Sequence, residues 1–390
     1  MKTTNSTIIR KSLLGLLSAA AIMAGSAMPA FAETQITSFT KEYQANIPNN
    51  AETSAYPSPA ETFSFQDSKG KANQADLVAV KYTSFNTETS ELQNITDLAN
   101  KPNSANTVMN LVLGTATFDA GAAGTTGEMT KSVPVSIPDG SVYTVPGNYY
   151  YYFKEAVGAT AGVYYNTNND NTAIEYLILV PVKSDNKRMS VDENHIRILK
   201  ANTENVKVDT ITNSYNAGSF DFKKVVEGTA GDVTKTFQVN VTLTKPEGKT
   251  MSSTISVANA GTDEVPNSNE LSDIRPNDWK DNTITKTFTV KDGTDIRLSN
   301  IPAGTKYLVK EQNAPGYVTT YTIGEATSPI ATDNLTQTLN PAQSATIVIT
   351  NKRDQIVDTG VFTSNLPYFI ILIAAAGGLV IFLASRKHRV

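Results

Sequence analysis

The chain reads as an all-β protein, built as two tandem β-sandwich domains between a secretory signal and a membrane-spanning helix. Three observations carry this reading. Alternating apolar and polar stretches recur, as at 174–182, 237–243, 284–290 and 347–351, and helical periodicity is scarce. Turn signals separate them: Pro138-Asp139-Gly140, Pro146-Gly147, Asp292-Gly293 and Pro315-Gly316. Two long segments, 33–215 and 216–354, repeat one plan.

Residues 1–32 form the signal. Lys2, Arg10 and Lys11 make a basic start, residues 12–25 an apolar core, and Ala30-Phe31-Ala32 a small-x-small cleavage site. The mature chain then begins at Glu33. About 320 residues remain once both terminal segments are set aside, enough for two or three domains.

In the first unit, 36–43 is a strand with Phe39, Lys41 and Tyr43 on one face. Residues 46–70 are polar and proline-containing and read as loop, as do 202–205. The strand 146–155 aligns Tyr149, Tyr151, Phe153 and Glu155. A closing strand aligns Ile211 and Asn213. In the second unit, 220–226 aligns Phe220, Phe222, Lys224 and Val226. The strand 307–311 then aligns Tyr307, Val309 and Glu311, and the closing strand aligns Ile347, Ile349 and Asn351.

The C-terminus holds Ile356-Val357-Asp358-Thr359-Gly360, an uncharged span at 366–385, and the tail Arg386-Lys387-His388-Arg389. Twenty uncharged residues suffice to cross a bilayer as a helix, and the basic tail keeps that end cytoplasmic. The three parts together resemble the cell-wall sorting signal of Gram-positive surface proteins. The resemblance implies that the transpeptidase sortase cuts between Thr359 and Gly360 and joins the Thr carboxyl to an amine. Val357 stands where the usual motif has Pro, which leaves open which sortase reads it.

Composition narrows the chemistry. The exported chain has no cysteine, so any covalent staple must come from elsewhere. With two histidines, His195 and His388, there is no zinc-ligand spacing, and neither a metal nor a cofactor is expected. His195 reads as solvated. The net charge of −4 and the lack of a basic run argue against nucleic acid as a partner.

A Lys, a Glu and an Asn thus fall on the apolar face twice, in the same order. Burying a lysine there costs several kcal/mol unless it is neutralised or partnered. One reading is a buried salt bridge with a hydrogen-bonded asparagine. The other is an intramolecular Lys–Asn isopeptide bond. An apolar pocket lowers the lysine pKa, so the neutral amine can attack the carboxamide carbon. The same pocket keeps the glutamate protonated, ready to pass protons to departing ammonia. Holding amine and amide in contact replaces a collision with a positioned reaction, and Tyr151, Phe153 and Tyr307 would exclude water. This happens once per domain and is not turnover.

Several stretches carry a family resemblance: 146–155 (Pro-Gly-Asn-Tyr-Tyr-Tyr-Tyr-Phe-Lys-Glu), 224–232, Asn300-Ile301-Pro302-Ala303-Gly304 through Glu311, and Thr350-Asn351-Lys352. The chain resembles a Gram-positive shaft (major) pilin of the streptococcal T-antigen type. The resemblance implies two immunoglobulin-like domains, each stapled by a Lys–Asn bond with a catalytic Glu. By position these are Lys41–Asn213 with Glu155, and Lys224–Asn351 with Glu311. Lys223 is the alternative to Lys224, but strand phase points it to the polar face. The resemblance further implies that a pilin-class sortase joins Thr359 to a lysine of the next identical subunit. Lys207 is the best match, although the family's neighbouring Pro is absent, and Lys200 is the runner-up. Tip and base pilins, peptidoglycan and a host ligand are the other partners implied, on an exported, wall-anchored pilus. The rivals are a monomeric wall-anchored adhesin with the same stapled domains, and a surface hydrolase. For the hydrolase no nucleophile–base or paired-carboxylate constellation is found outside the buried triplets.

Overall fold

The structure, a computed structural model, describes residues 35–49, 51–82, 110–123, 129–143, 146–167, 172–185, 188–201, 206–261, 270–324, 326, 328–329, 335–355, 367–368 and 370–375. The signal at 1–32, the motif with Thr359 and Gly360, the tail 386–389 and most of the apolar span lie outside the described residues. Residues 370–375 are helical. Among the described residues no helix is long and apolar enough to cross a membrane.

The N-terminal half contributes β1 (Gln35–Asn46), β2 (Glu61–Phe63), β3 (Phe65–Gln66), β4 (Gln74–Tyr82), β5 (Leu111–Leu113), β6 (Ala116–Phe118), β7 (Thr130–Ile137), β8 (Gly147–Glu155), β9 (Val163–Tyr164), β10 (Glu175–Asp185), β11 (Arg188–Val191) and β12 (Arg197–Lys200). β13 (Thr210–Glu227) follows. The C-terminal half adds β14 (Phe237–Thr244), β15 (Ser256–Asn259), β16 (Thr283–Val290), β17 (Asp295–Pro302), β18 (Lys306–Glu311), β19 (Val318–Ile323), β20 (Gln337–Thr338) and β21 (Ser344–Lys352).

The strands of each half lie in two layers around a main core, and in the first half β4 joins the layers by pairing with both β5 and β8. In the first, β1 lies between β7 (antiparallel) and β13 (parallel), while β8 lies between β4 and β10. Phe39, Tyr43, Val135 and Ile211 from one sheet meet Tyr149, Tyr151, Phe153 and Ile178 from the other. In the second half, β13 lies between β17 and β21, facing β16-β14-β18-β20. Phe222, Leu298 and Ile349 meet Val241, Phe288 and Val309 there.

The four consecutive tyrosines of β8 divide between two faces, as a two-residue period requires. Tyr149 and Tyr151 enter the main core. Tyr150 and Tyr152 join Val78, Leu177 and Leu199 in a smaller cluster behind the sheet.

One expectation is corrected. The stretch 46–70 is not all loop: it supplies β2 and β3, with Phe63 and Phe65 fully buried. Phe63-Ser64-Phe65 does alternate, but over too few residues to stand out. The two halves join without a break. β13 is one strand of 18 residues running through both. Its inward positions are odd-numbered in the first half (Ile211, Asn213, Tyr215) and even-numbered in the second (Phe220, Phe222, Lys224, Val226). The phase changes where residues 215–220 are all buried and the pairing with β17 shifts register, between Gly218 and Phe220.

Neighbours on both sides hold that crossing. Asn216 N–H donates to Gly162 O at 2.7 Å, and its carbonyl accepts from Ala303 N–H at 2.9 Å. Asn300, fully buried in a left-handed conformation (φ 59°), accepts from the Tyr215 hydroxyl at 3.0 Å. Its Nδ2 donates to Thr254 O at 2.9 Å and to Pro57 O at 3.0 Å. Gly162 (φ 77°) has no room for a side chain, since a Cβ would sit 2.8 Å from Asn216 O.

Candidate functional site

Strand order brings the expected triplets together in the same way twice. β1 and β13 run parallel with Lys41 opposite Ile211, so Asn213 is two residues on and on the same face. β13 and β21 run parallel with Lys224 opposite Ile349, which places Asn351 two residues on. Each glutamate ends a strand of the facing sheet: Glu155 on β8 and Glu311 on β18. All six residues are buried.

In the first cluster Lys41 Nζ lies 3.1 Å from Glu155 Oε1 and donates to Oε2 at 3.2 Å. Asn213 Nδ2 donates to Glu155 Oε1 at 2.7 Å. Asn213 Oδ1 accepts from the backbone N–H of Asn166 at 2.8 Å. Burial disfavours both charges. It lowers the Lys41 pKa to about 8, against the pull of Glu155. It raises that of Glu155, against Lys41 and the Asn213 hydrogen bond. The pair is thereby pushed toward neutral amine and neutral acid.

In the second cluster Lys224 Nζ is in ion-pair contact with Glu311 Oε2 at 2.9 Å, while its hydrogen bond goes to Ile349 O at 3.4 Å. Asn351 Nδ2 donates to Glu311 Oε1 at 2.6 Å. Among the described residues Asn351 Oδ1 and Glu311 Oε2 have no hydrogen-bond partner. Burial lowers the Lys224 pKa. The backbone N–H of Glu311 donates to the Tyr321 hydroxyl at 2.9 Å, which fixes the end of β18.

An aromatic ring lies over each lysine: Phe63 at 4.7 Å and Phe237 at 4.6 Å from Nζ to centroid. Sequence reasoning missed both rings and Asn166. Phe63 sat in the supposed loop, and backbone donors leave no mark in a sequence. The aromatics it did name are nearby core. Phe153 packs on Phe39, Phe65 and Tyr176, Tyr307 stacks on Phe220 at 4.5 Å, and Tyr151 shares a hydrogen bond with Tyr143.

Lys223 is exposed, unlike its neighbour. Lys207 is 56% exposed and pairs with Asp209 at 2.8 Å, beside Leu199. Lys200 is partly buried. His195 is mostly exposed and contacts Asp192 at 2.9 Å. Among the described residues no group of three or more His, Asp or Glu side chains could hold a metal.

Comparison with known proteins gives one family model, a curated relative and several solved structures. A family model described as "Domain of unknown function (DUF7601)" matches residues 218–353. The chain is 27% identical over 252 residues to a pilin of Streptococcus pyogenes serotype M1, spanning 62% of this chain and 68% of that protein. Solved structures that resemble it include a major pilin from Streptococcus pyogenes, with TM-score 0.47, 21% identity, and coverage of 83% of this chain and 100% of that one. The T3.2 major pilin of Streptococcus pyogenes gives TM-score 0.47, 20% identity, and coverage of 84% and 100%. The chain is similar in sequence to a Gram-positive pilin, the likeness its own motifs suggested.

Proposed function

We propose that this chain is the backbone subunit of a covalent, sortase-assembled pilus, with two immunoglobulin-like sandwich domains each stapled by a self-made Lys–Asn bond. The observation that carries it is the doubled, buried Lys–Glu–Asn cluster, Lys41–Glu155–Asn213 and Lys224–Glu311–Asn351. A salt bridge alone is a poor reason to bury a lysine twice, since desolvation offsets much of the attraction. A cluster that holds a lysine of lowered pKa, a carboxyl and a carboxamide together has the parts needed to form an amide and expel ammonia. The 27% identity to a pilin agrees with a structural role.

On this reading the chain is exported, cut between Thr359 and Gly360, joined to Lys207 of the next subunit, and finally linked to peptidoglycan. Tyr368, Ile370, Ile371, Leu372 and Ile373 are each at least 59% exposed, in keeping with a lipid-facing anchor. Intact mass of residues 33–355 tests the staples. The expected mass is two ammonia molecules below the sequence mass, and Glu155→Ala and Glu311→Ala each restore one. An unreduced mass leaves only salt bridges. With the matching sortase, Lys207→Ala should abolish the detergent-resistant ladder. A single band in the wild type would instead favour the monomeric adhesin.

A further inference from the structure

The two clusters differ at one atom. Asn213 Oδ1 accepts from the Asn166 backbone N–H at 2.8 Å, whereas Asn351 Oδ1 has no protein donor among the described residues. An N–H can only donate, so this contact settles which way the Asn213 amide points. Its oxygen faces Asn166, and its nitrogen faces Glu155. The donor is itself well held. Asn166 follows β9 by two residues, and β9 pairs with β13 at Tyr164 and Ser214. The Asn166 carbonyl accepts from Ile174 N–H at 3.3 Å, and its Nδ2 donates to the Tyr176 hydroxyl at 3.0 Å. Tyr176 in turn stacks on Phe153 at 5.3 Å.

We infer that the Asn166 N–H is a preorganised oxyanion donor for the Lys41–Asn213 reaction, and that the second cluster works without such a donor. The inference rests on the isopeptide reading above. Neutral Lys41 Nζ attacks Asn213 Cγ, and the charge that develops on Oδ1 is held by the Asn166 N–H. Glu155, in contact with Nζ and accepting from Nδ2, takes a proton from the former and delivers one to the latter. The Cγ–Nδ2 bond breaks, ammonia leaves, and the Nζ–Cγ amide remains with Glu155 regenerated. Labour is thus divided in the first cluster: the backbone serves the oxygen and the carboxyl serves the nitrogens. At Asn351 the carboxyl of Glu311 is the only group on the amide among the described residues.

The test follows both bonds in the full-length chain during pulse-labelled cell-free synthesis, with cross-linked peptides quantified by mass spectrometry. Asn166→Pro deletes the N–H, and Asn166→Ala keeps it and drops only the Tyr176 contact. Removing one oxyanion donor costs about 10²–10³ in rate. Asn166→Pro should therefore slow Lys41–Asn213 formation by about 10²-fold, at least tenfold more than Asn166→Ala, with Lys224–Asn351 in the same molecule as internal control. Equal rates for the two variants, or a wild-type rate for Asn166→Pro, overturn the inference. Should proline unfold the first half, Glu155→Gln and Glu311→Gln decide. The residual rate at the first site should exceed that at the second by about 10²-fold, because its donor survives. Equal residual rates, including none at either site, overturn it. Absence of both bonds from the wild type would instead remove the isopeptide reading beneath it.

Discussion

Lys41 is the residue on which the first cluster turns, because its burial has a consequence even when no bond forms. In an Asn213→Ala variant there is no carboxamide to attack. The lysine then keeps its folded pKa of about 8 against an ordinary value of 10.5. Between those values the unfolded chain binds more protons than the folded one, so stability rises with pH. Below pH 8 both states are protonated, and the full penalty of holding an ammonium in the core remains. Glu155, raised by burial, acts oppositely: its contribution is complete below about 4.5 and is lost as pH rises through its folded value. The buried tyrosines, Tyr43 and Tyr176 among them, also oppose the lysine, but only above about pH 10. The melting temperature of Asn213→Ala should therefore climb from about pH 8 to 9.5. A flat profile would show that Lys41 is not held against its charge. Lys41 and Lys224 were legible in the sequence because a two-residue period places the first between Phe39 and Tyr43 and the second between Phe222 and Val226. Phe63 and Phe237 were not assigned their place over the ammonium groups, because a ring-over-charge contact crosses between strands and leaves no mark in the pattern of either one.

Among the described strands, β13 alone contributes inward side chains to both main cores. Its two ends were legible, since Ile211-Asn213 and Phe220-Phe222-Lys224 alternate cleanly. Its middle, Asn213 to Ser219, is polar and glycine-containing and reads as a link between domains. The strand continues there because Gly162, Ala303 and Ala342 supply backbone partners, which no local pattern announces. Asn300 is the strongest single support of this crossing. Asn300→Ala takes the Asn300 donor from the carbonyls of Pro57 and Thr254, leaves the Tyr215 hydroxyl with Ser253 as its remaining partner, and puts alanine at a positive φ. The cost is roughly 1–3 kcal/mol for each group left unsatisfied. Asn300→Gly, free of the backbone strain, should be intermediate. Chemical denaturation of the two variants checks the order. If glycine were as stable as the wild type, the hydrogen bonds would have no weight. One residue inserted after Asn216 should be worse than either, because it turns the inward side chains of β13 on one side of the insertion outward.

At the scale of the molecule, the two proposed staples would differ in the load they bear. In the proposed shaft, tension enters at Lys207 and leaves at Thr359, so Lys224–Asn351 lies in the path and most of the first half does not. Glu311→Ala pulled between those points should release roughly 400 Å of contour as residues 225–350 unravel, at about 3.3–3.6 Å per residue. Glu155→Ala should add little extension but make the first half easier to digest. Single-molecule force spectroscopy separates the two, and equal large extensions would move the acceptor lysine toward the N-terminus.

A strand that belongs to both cores also has a bearing on shape. A hinge requires backbone free to change its dihedral angles, and at residues 214–219 the chain is engaged on both sides: Tyr164 and Val163 on one, Ala303, Ala342 and Gln343 on the other. Bending here would break those bonds together. The two halves should accordingly scatter X-rays in solution as one rod of fixed length, with a single sharp maximum dimension that salt does not change. Curvature in any fibre built from such rods would then arise at the joints between subunits, so its persistence length would be set by the contacts around Lys207 and by the segment that leads to Thr359.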